Sequence, residues 1–171
     1  EFEELQDNVA PFPFEYAEKI IEIDLKKPIS QAFASFEKQP IAAASIAQVH
    51  KAKLKSGDLV AVKIMRPNIK ETMQRDIEIM HFFANILEKH GYKFKNYSPI
   101  QIVDEFEKWT SRELDFRIEA KNAKIFHHNF LNSKTVYIPK VYDEFSTERV
   151  LVLEFVEGIE LHDIGTVKKK N

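Results

Sequence analysis

A lysine in the middle of a seven-residue run that alternates like a strand constrains this chain more than any other feature. In Leu59-Val60-Ala61-Val62-Lys63-Ile64-Met65, one face carries Val60, Val62 and Ile64 and the other carries Ala61, Lys63 and Met65. Ser56-Gly57-Asp58 ahead of it is a turn signal, and Gln48 to Leu54 reads as the partner strand of a hairpin. A buried, unpaired ammonium is very costly, so Lys63 requires an anion or a route to water. A phosphate together with a helix carboxylate would satisfy it, and so would solvent at the edge of a sheet. From Val-Ala-Val-Lys alone the edge-strand reading is the stronger; the segment upstream reverses this.

That segment is Pro40-Ile41-Ala42-Ala43-Ala44-Ser45-Ile46-Ala47, a run of small residues between strand-like stretches. Glycine in such a loop allows positive φ and close approach of the main chain to phosphates. Alanine narrows that freedom while leaving room for a ligand, so a stiffer and different grip is expected. The competing reading is the start of a buried helix, since alanine is the best helix former. Pro40 before the run and Gln48-Val49-His50 after it argue against a long helix.

Taken together, Phe36-Glu37-Lys38-Gln39-Pro40 through the alanine run to His50, and Val60 through Lys63-Ile64-Met65-Arg66-Pro67, closely resemble the UbiB (ABC1, ADCK) family of atypical kinases. Leu5 to Val9, with Pro11, Phe12, Pro13 and Phe14, matches the family's approach to the loop. Two departures lie outside the expected pocket: Lys26 stands where members usually have glycine ahead of Pro28, and Asp24 replaces a usual glutamate. The resemblance covers nearly the whole chain. It implies an α+β fold, a protein-kinase-like small lobe with an antiparallel sheet and a family-specific helical insertion. It also implies ATP or ADP with magnesium, and a role in ubiquinone or related isoprenoid-lipid metabolism. The residues it assigns to the nucleotide are Ala42, Ala43, Ala44, Ser45, Val49, Ala61 and Lys63, with the Glu154 carbonyl and the Val156 amide as hinge groups beside a Leu153 gatekeeper.

Two helical regions follow the lysine strand. Asn68 with Glu71 three residues on predicts a capping box. Ile69, Met73, Ile77, Met80, Ala84 and Leu87 then form one apolar stripe ending at Gly91. Ser98-Pro99-Ile100-Gln101 supplies a second start, and helix is expected from there to about Phe130, with a break. Within it, Asp115 and Glu119 are four apart and would share a helical face, where two carboxylates repel unless a cation separates them. That cation is Lys63, a metal, or simply Arg112, Arg117 and Lys121 around a solvated acidic face. The resemblance decides among these: Glu113 and Asp115 match the family's Glu-x-Asp motif, and Glu119 matches the glutamate that pairs with the strand lysine. The catalytic set it implies is therefore Lys63, Glu119, Glu113 and Asp115.

Ile138 to Phe145 and Val150 to Gly158 are β-rich runs around Ser146-Thr147-Glu148-Arg149, predicting a hairpin. The expected organisation is a helical extension over 1–35, loop and lysine strand over 36–67, inserted helix over 68–97, acidic helix over 98–135, hairpin and hinge over 136–158, and a linker over 159–171. With 44% hydrophobic residues and 14 phenylalanines in 171, a real core is expected. A net charge of −2 with dispersed lysines argues against a nucleic-acid face. The absence of cysteine excludes disulfides and thiolate metal sites; no metal ligands are assigned, and a reducing cytoplasm or organellar matrix is expected. No segment resembles the catalytic aspartate loop or the metal-binding aspartate loop of kinases. The expectation is thus a small lobe, catalytically incomplete, whose partners are the nucleotide, the large lobe, and quinone- or lipid-biosynthesis proteins or a membrane surface. Two other readings compete: a non-catalytic docking module, and a membrane-surface adaptor using Phe14, Ala17, Ile20, Ile21 and Leu25.

Overall fold

The computed structural model describes residues 9–91 and 98–158, so the motif residues before Val9 and the tail beyond Gly158 lie outside the described residues. The elements run α1 (Phe14–Leu25), α2 (Ile29–Ala32), β1 (Phe33–Phe36), β2 (Ala42–Ala43), β3 (Ala47–Leu54), β4 (Leu59–Met65), α3 (Ile69–Lys89), α4 (Pro99–Glu113), α5 (Phe116–Phe130), a 3₁₀ turn (Asp143–Phe145) and β5 (Val150–Glu154). The sheet is antiparallel, in the order β1-β3-β4-β5, with β2 also paired to β3. This mixed architecture of antiparallel sheet and helices is the one expected.

The β3–β4 hairpin is the centre of the fold, in register from Ala47 opposite Met65 to Lys53 opposite Leu59. Its turn needs a left-handed residue, and Gly57 takes φ 101° there. The alternation read from the sequence is observed on both faces. Val60, Val62 and Ile64 are fully buried against Ala17, Ile20 and Ile21 of α1, with Phe33, Val150 and Val152. On the opposite face Met65, Ala47 and Leu151 pack on Leu114, Phe116 and Ala120. The apolar side of α1 is therefore used inside the core, which removes it as a surface for a membrane. Among the described residues no helix is long and apolar enough to cross one.

Both departures noted in the sequence have structural jobs. Lys26 ends α1 in the left-handed region at φ 55°, a conformation that glycine adopts without the Cβ penalty. Asp24 accepts from Thr147 Oγ1 at 2.6 Å and from Arg149 Nε and Nη2, tying α1 to the turn before β5.

The helix starts divide into one expected and one corrected. Ser98 forms the full capping box with Gln101, behind Pro99 at the first position. Asn68 does not: its backbone is left-handed at φ 58° and its side chain caps nothing, whereas capping needs an extended residue there. On α3 only Ile77 and Ala84 are buried, because the helix packs mainly on α4; Met80 and Leu87 stay more than a third exposed. The predicted hairpin at 138–158 is also reduced. Its first limb contributes a single bridge, Val141 to Leu153, before the 3₁₀ turn. Ser146 Oγ donates to Tyr142 O and accepts from Val152 N, so a hydroxyl stands where a strand partner would be.

Beneath the alanine run lies a buried polar chain. The Phe12 amide donates to Gln48 Oε1 at 3.0 Å, Gln48 Nε2 lies 2.8 Å from His50 Nε2, and His50 Nδ1 lies 2.8 Å from Glu37 O. A carbonyl can only accept, so Nδ1 carries the proton and Nε2 accepts from Gln48. Burial holds the imidazole below its ordinary value, opposed by the smaller effect of the Glu37 bond. Because the folded value is the lower one, the unfolded chain binds the extra proton more readily. Stability is therefore complete above the ordinary value of 6.5 and falls as pH drops below it. Thermal melts of wild type and His50→Gln from pH 7.5 to 5 check this: the wild type should lose melting temperature and the variant should show a flatter profile. Parallel profiles would assign the acid sensitivity elsewhere.

Candidate functional site

One cross-strand row organises the site. Ala42 stands opposite Val49, Val49 opposite Lys63, and Lys63 opposite Leu151, so the alanine run and the lysine share one face of the sheet. The adjacent row pairs Ala61 with Lys51 on one side and Leu153 on the other. Helix α5 covers this face only at its Met65–Leu151 end, leaving Val49, Ala61, Lys63 and Leu153 half-buried.

Lys63 Nζ lies 2.7 Å from Glu119 Oε2, a contact across 56 positions of sequence, and 4.8 Å from the centroid of the Phe116 ring. Glu119 is in the first turn of α5, where a carboxylate interacts favourably with the helix dipole. The two side chains are 27% and 44% exposed, so the lysine has both a carboxylate and a route to water. Its pairing with Glu119 is the one the resemblance implied.

Asp115 differs from the expectation. It is the extended N-cap of α5 rather than a residue on the helical face of Glu119. Its Oδ1 accepts from the Arg117 amide at 3.0 Å and Nε at 2.8 Å, and Oδ2 accepts from Nη2 at 2.7 Å. The Arg117 bonds hold its carboxyl below the usual aspartate value and hold the guanidinium above its own. The residue's capping propensity explains why the helix breaks here. Glu113 ends α4 and stays exposed.

These groups border one open cavity of about 700 Å³, lined by Lys63, Glu113, Asp115 and Glu119 together with Trp109 and Arg112. Trp109 was not singled out from the sequence, and Arg112 was named there only as a cation beside a solvated acidic face. Trp109 is one helical turn before Glu113, and that spacing was the available signal. Arg112 sits 5.9 Å from the Trp109 ring, and Trp109 is 64% exposed. Among the described residues no cluster of three or more His, Cys, Asp or Glu is placed to hold a metal ion.

The remaining assigned residues take up two other positions. Ala42 and Ala43 form the short β2, and Ala44 and Ser45 lie in the bend that follows, closed by Ala44 N donating to Ala47 O at 2.8 Å. The run is not helical, which excludes the helix reading. At the far edge Glu154 N donates to Lys140 O while Phe155 N donates to Leu59 O, so Glu154 turns its main chain away from β4. Its carboxylate accepts from Tyr137 Oη at 2.6 Å. Val156 lies just past the strand, with its side chain about half exposed.

A model of the ABC1 atypical kinase-like domain matches residues 4–171. The chain belongs to this ABC1 family. Relatives named probable protein kinase UbiB include that of Marinobacter nauticus, 40% identical over 166 residues, and that of Pseudomonas paraeruginosa, 42% identical over 164. These matches cover 97% and 96% of the chain but only 30% and 31% of the relatives. The chain is also similar to a solved structure, that of the Rv3197–erythromycin complex from Mycobacterium tuberculosis. It superposes with a TM-score of 0.79 at 30% identity, covering 94% of this chain and 40% of that one.

Proposed function

We propose that this ABC1 chain is the nucleotide-binding side of an atypical kinase or ATPase, and that the Lys63–Glu119 pair holds the phosphates of ATP or ADP. The observation that carries the reading is the pair itself. A strand lysine and a helix carboxylate meet at 2.7 Å at the mouth of a cavity, beside a half-covered apolar sheet face. Val49, Ala61 and Leu153 offer the purine an apolar roof, and Lys63, oriented by Glu119, neutralises phosphate charge as the equivalent pair does in kinases. The Asp115 carboxylate is taken up by Arg117, which supports a helix-capping role, and Glu119 is committed to Lys63, which leaves Glu113 as the cavity acid without a side-chain partner among the described residues. Magnesium would take its ligands from outside the described residues. The relatives' name, probable protein kinase UbiB, supports the kinase reading, and the resemblance of the motifs to the UbiB family supports a role in ubiquinone or related isoprenoid-lipid metabolism.

Trp109 gives the test a built-in reporter, since it is the sole tryptophan and lines the cavity with Lys63. Titrating the purified protein with MgATP or MgADP is expected to change Trp109 emission saturably and to raise the melting temperature. If neither responds at millimolar nucleotide, the chain acts instead as a non-catalytic docking module.

A further inference from the structure

The alanine run must present main-chain amides in a fixed direction if it is to grip phosphates, and alanine alone does not set that direction. Arg66, three residues beyond Lys63, supplies it. Its main-chain amide donates to Ile46 O at 2.8 Å, and its Nε donates to Ala44 O at 2.9 Å. Its Nη2 reaches Ala10 O at 2.9 Å, and the guanidinium lies 5.7 Å from the Phe12 ring centroid. One side chain thus joins the end of β4, the alanine run and the segment entering α1.

Peptide planarity turns these contacts into an orientation. In a trans peptide the carbonyl of one residue and the amide of the next point in opposite directions. With the Ala44 carbonyl drawn to Arg66, the Ser45 amide must point away from it. Ser45 is exposed, and among the described residues its amide has no protein partner. A donor so held is available to an anion without reorganising.

We infer that Arg66 is a positioning residue that fixes the peptide planes of the alanine run, aims the Ser45 amide at the phosphates, and thereby sets nucleotide affinity. This rests on the nucleotide reading above. Arginine suits the task because its planar fork reaches two carbonyls at once, whereas a lysine ammonium is a single point.

The experiment compares wild type, Arg66→Ala and Arg66→Lys by hydrogen exchange over residues 41–47 and by MgADP titration followed at Trp109. Arg66→Ala should raise exchange in that segment about tenfold or more, with the rest of β3, β4 and α5 unchanged, and weaken MgADP about tenfold. Arg66→Lys should fall between, because it keeps the main-chain bond and one side-chain donor. Unchanged exchange and affinity in Arg66→Ala would overturn the assignment. So would increased exchange spread over the whole sheet, which marks a purely structural role. A wild-type protein that binds no MgADP overturns the nucleotide reading itself, and that outcome is separate because it does not depend on the variants.

Discussion

Lys63→Met is expected to weaken MgATP binding about a hundredfold or more while leaving the fold almost untouched. Removing one partner from a charge-assisted contact with an anion costs about 2–5 kcal/mol, and each 1.4 kcal/mol is about tenfold in affinity. Stability should respond far less. Both members of the Lys63–Glu119 pair are substantially exposed, and such pairs contribute about 0–1 kcal/mol. The lost cation–ring contact with Phe116 adds only a little to that. Glu119→Gln should weaken binding by a smaller factor, because the lysine remains but loses its orienting carboxylate. The double variant should be no worse than Lys63→Met alone, since the glutamate acts through the lysine. Trp109 titrations with parallel melts would show this. Two single variants that bind as wild type would remove the pair from the nucleotide site, whatever its geometry.

Phe116→Ala carries the largest expected effect on stability. The side chain is 1% exposed, packed among Met65, Leu114, Ala120 and Leu151, and its amide donates to Glu148 O at 3.0 Å. Truncating a buried phenylalanine costs about 3–5 kcal/mol, which for a chain of this size lowers the melting temperature by about 10 °C or more. The same ring lies under the Lys63 ammonium and begins the helix that carries Glu119, so nucleotide affinity should fall along with stability. Phe116→Leu keeps most of the volume and should recover most of both. Urea unfolding at constant slope would measure the difference; a loss below about 1 kcal/mol would mean that the sheet and α5 are held together by other contacts.

Local patterns in the sequence were legible wherever one residue's chemistry sufficed. Strand β4 was readable from its alternation, its turn from Gly57, and the start of α4 from Ser98, Pro99 and Gln101, because each depends on neighbours within a few positions. The misreadings share a different cause. Asn68 has the right side chain for a cap, but the chain leaving β4 enters α3 through a left-handed residue. Asp115 has helical spacing from Glu119, yet its capping propensity and Arg117 draw it out of the helix. Ile138 to Phe145 has strand composition, but Ser146 takes two of the backbone bonds that a strand would have used.

The alternation of Leu59–Met65 and the motif residues around it, read from the chain alone, were enough to identify the sheet, its lysine and the ABC1 resemblance. Which groups share the cavity was decided by tertiary structure. Trp109 and Arg112 line the same cavity as Lys63 only because α4 ends beside α5, and α5 packs on the sheet face that carries the lysine. Arg66 reaches Ala44 and Ala10 only because β4 ends beside the alanine run. Alternation and capping act through neighbours along the chain, whereas a meeting across 22 or 56 positions depends on how whole elements pack, and no local pattern encodes it.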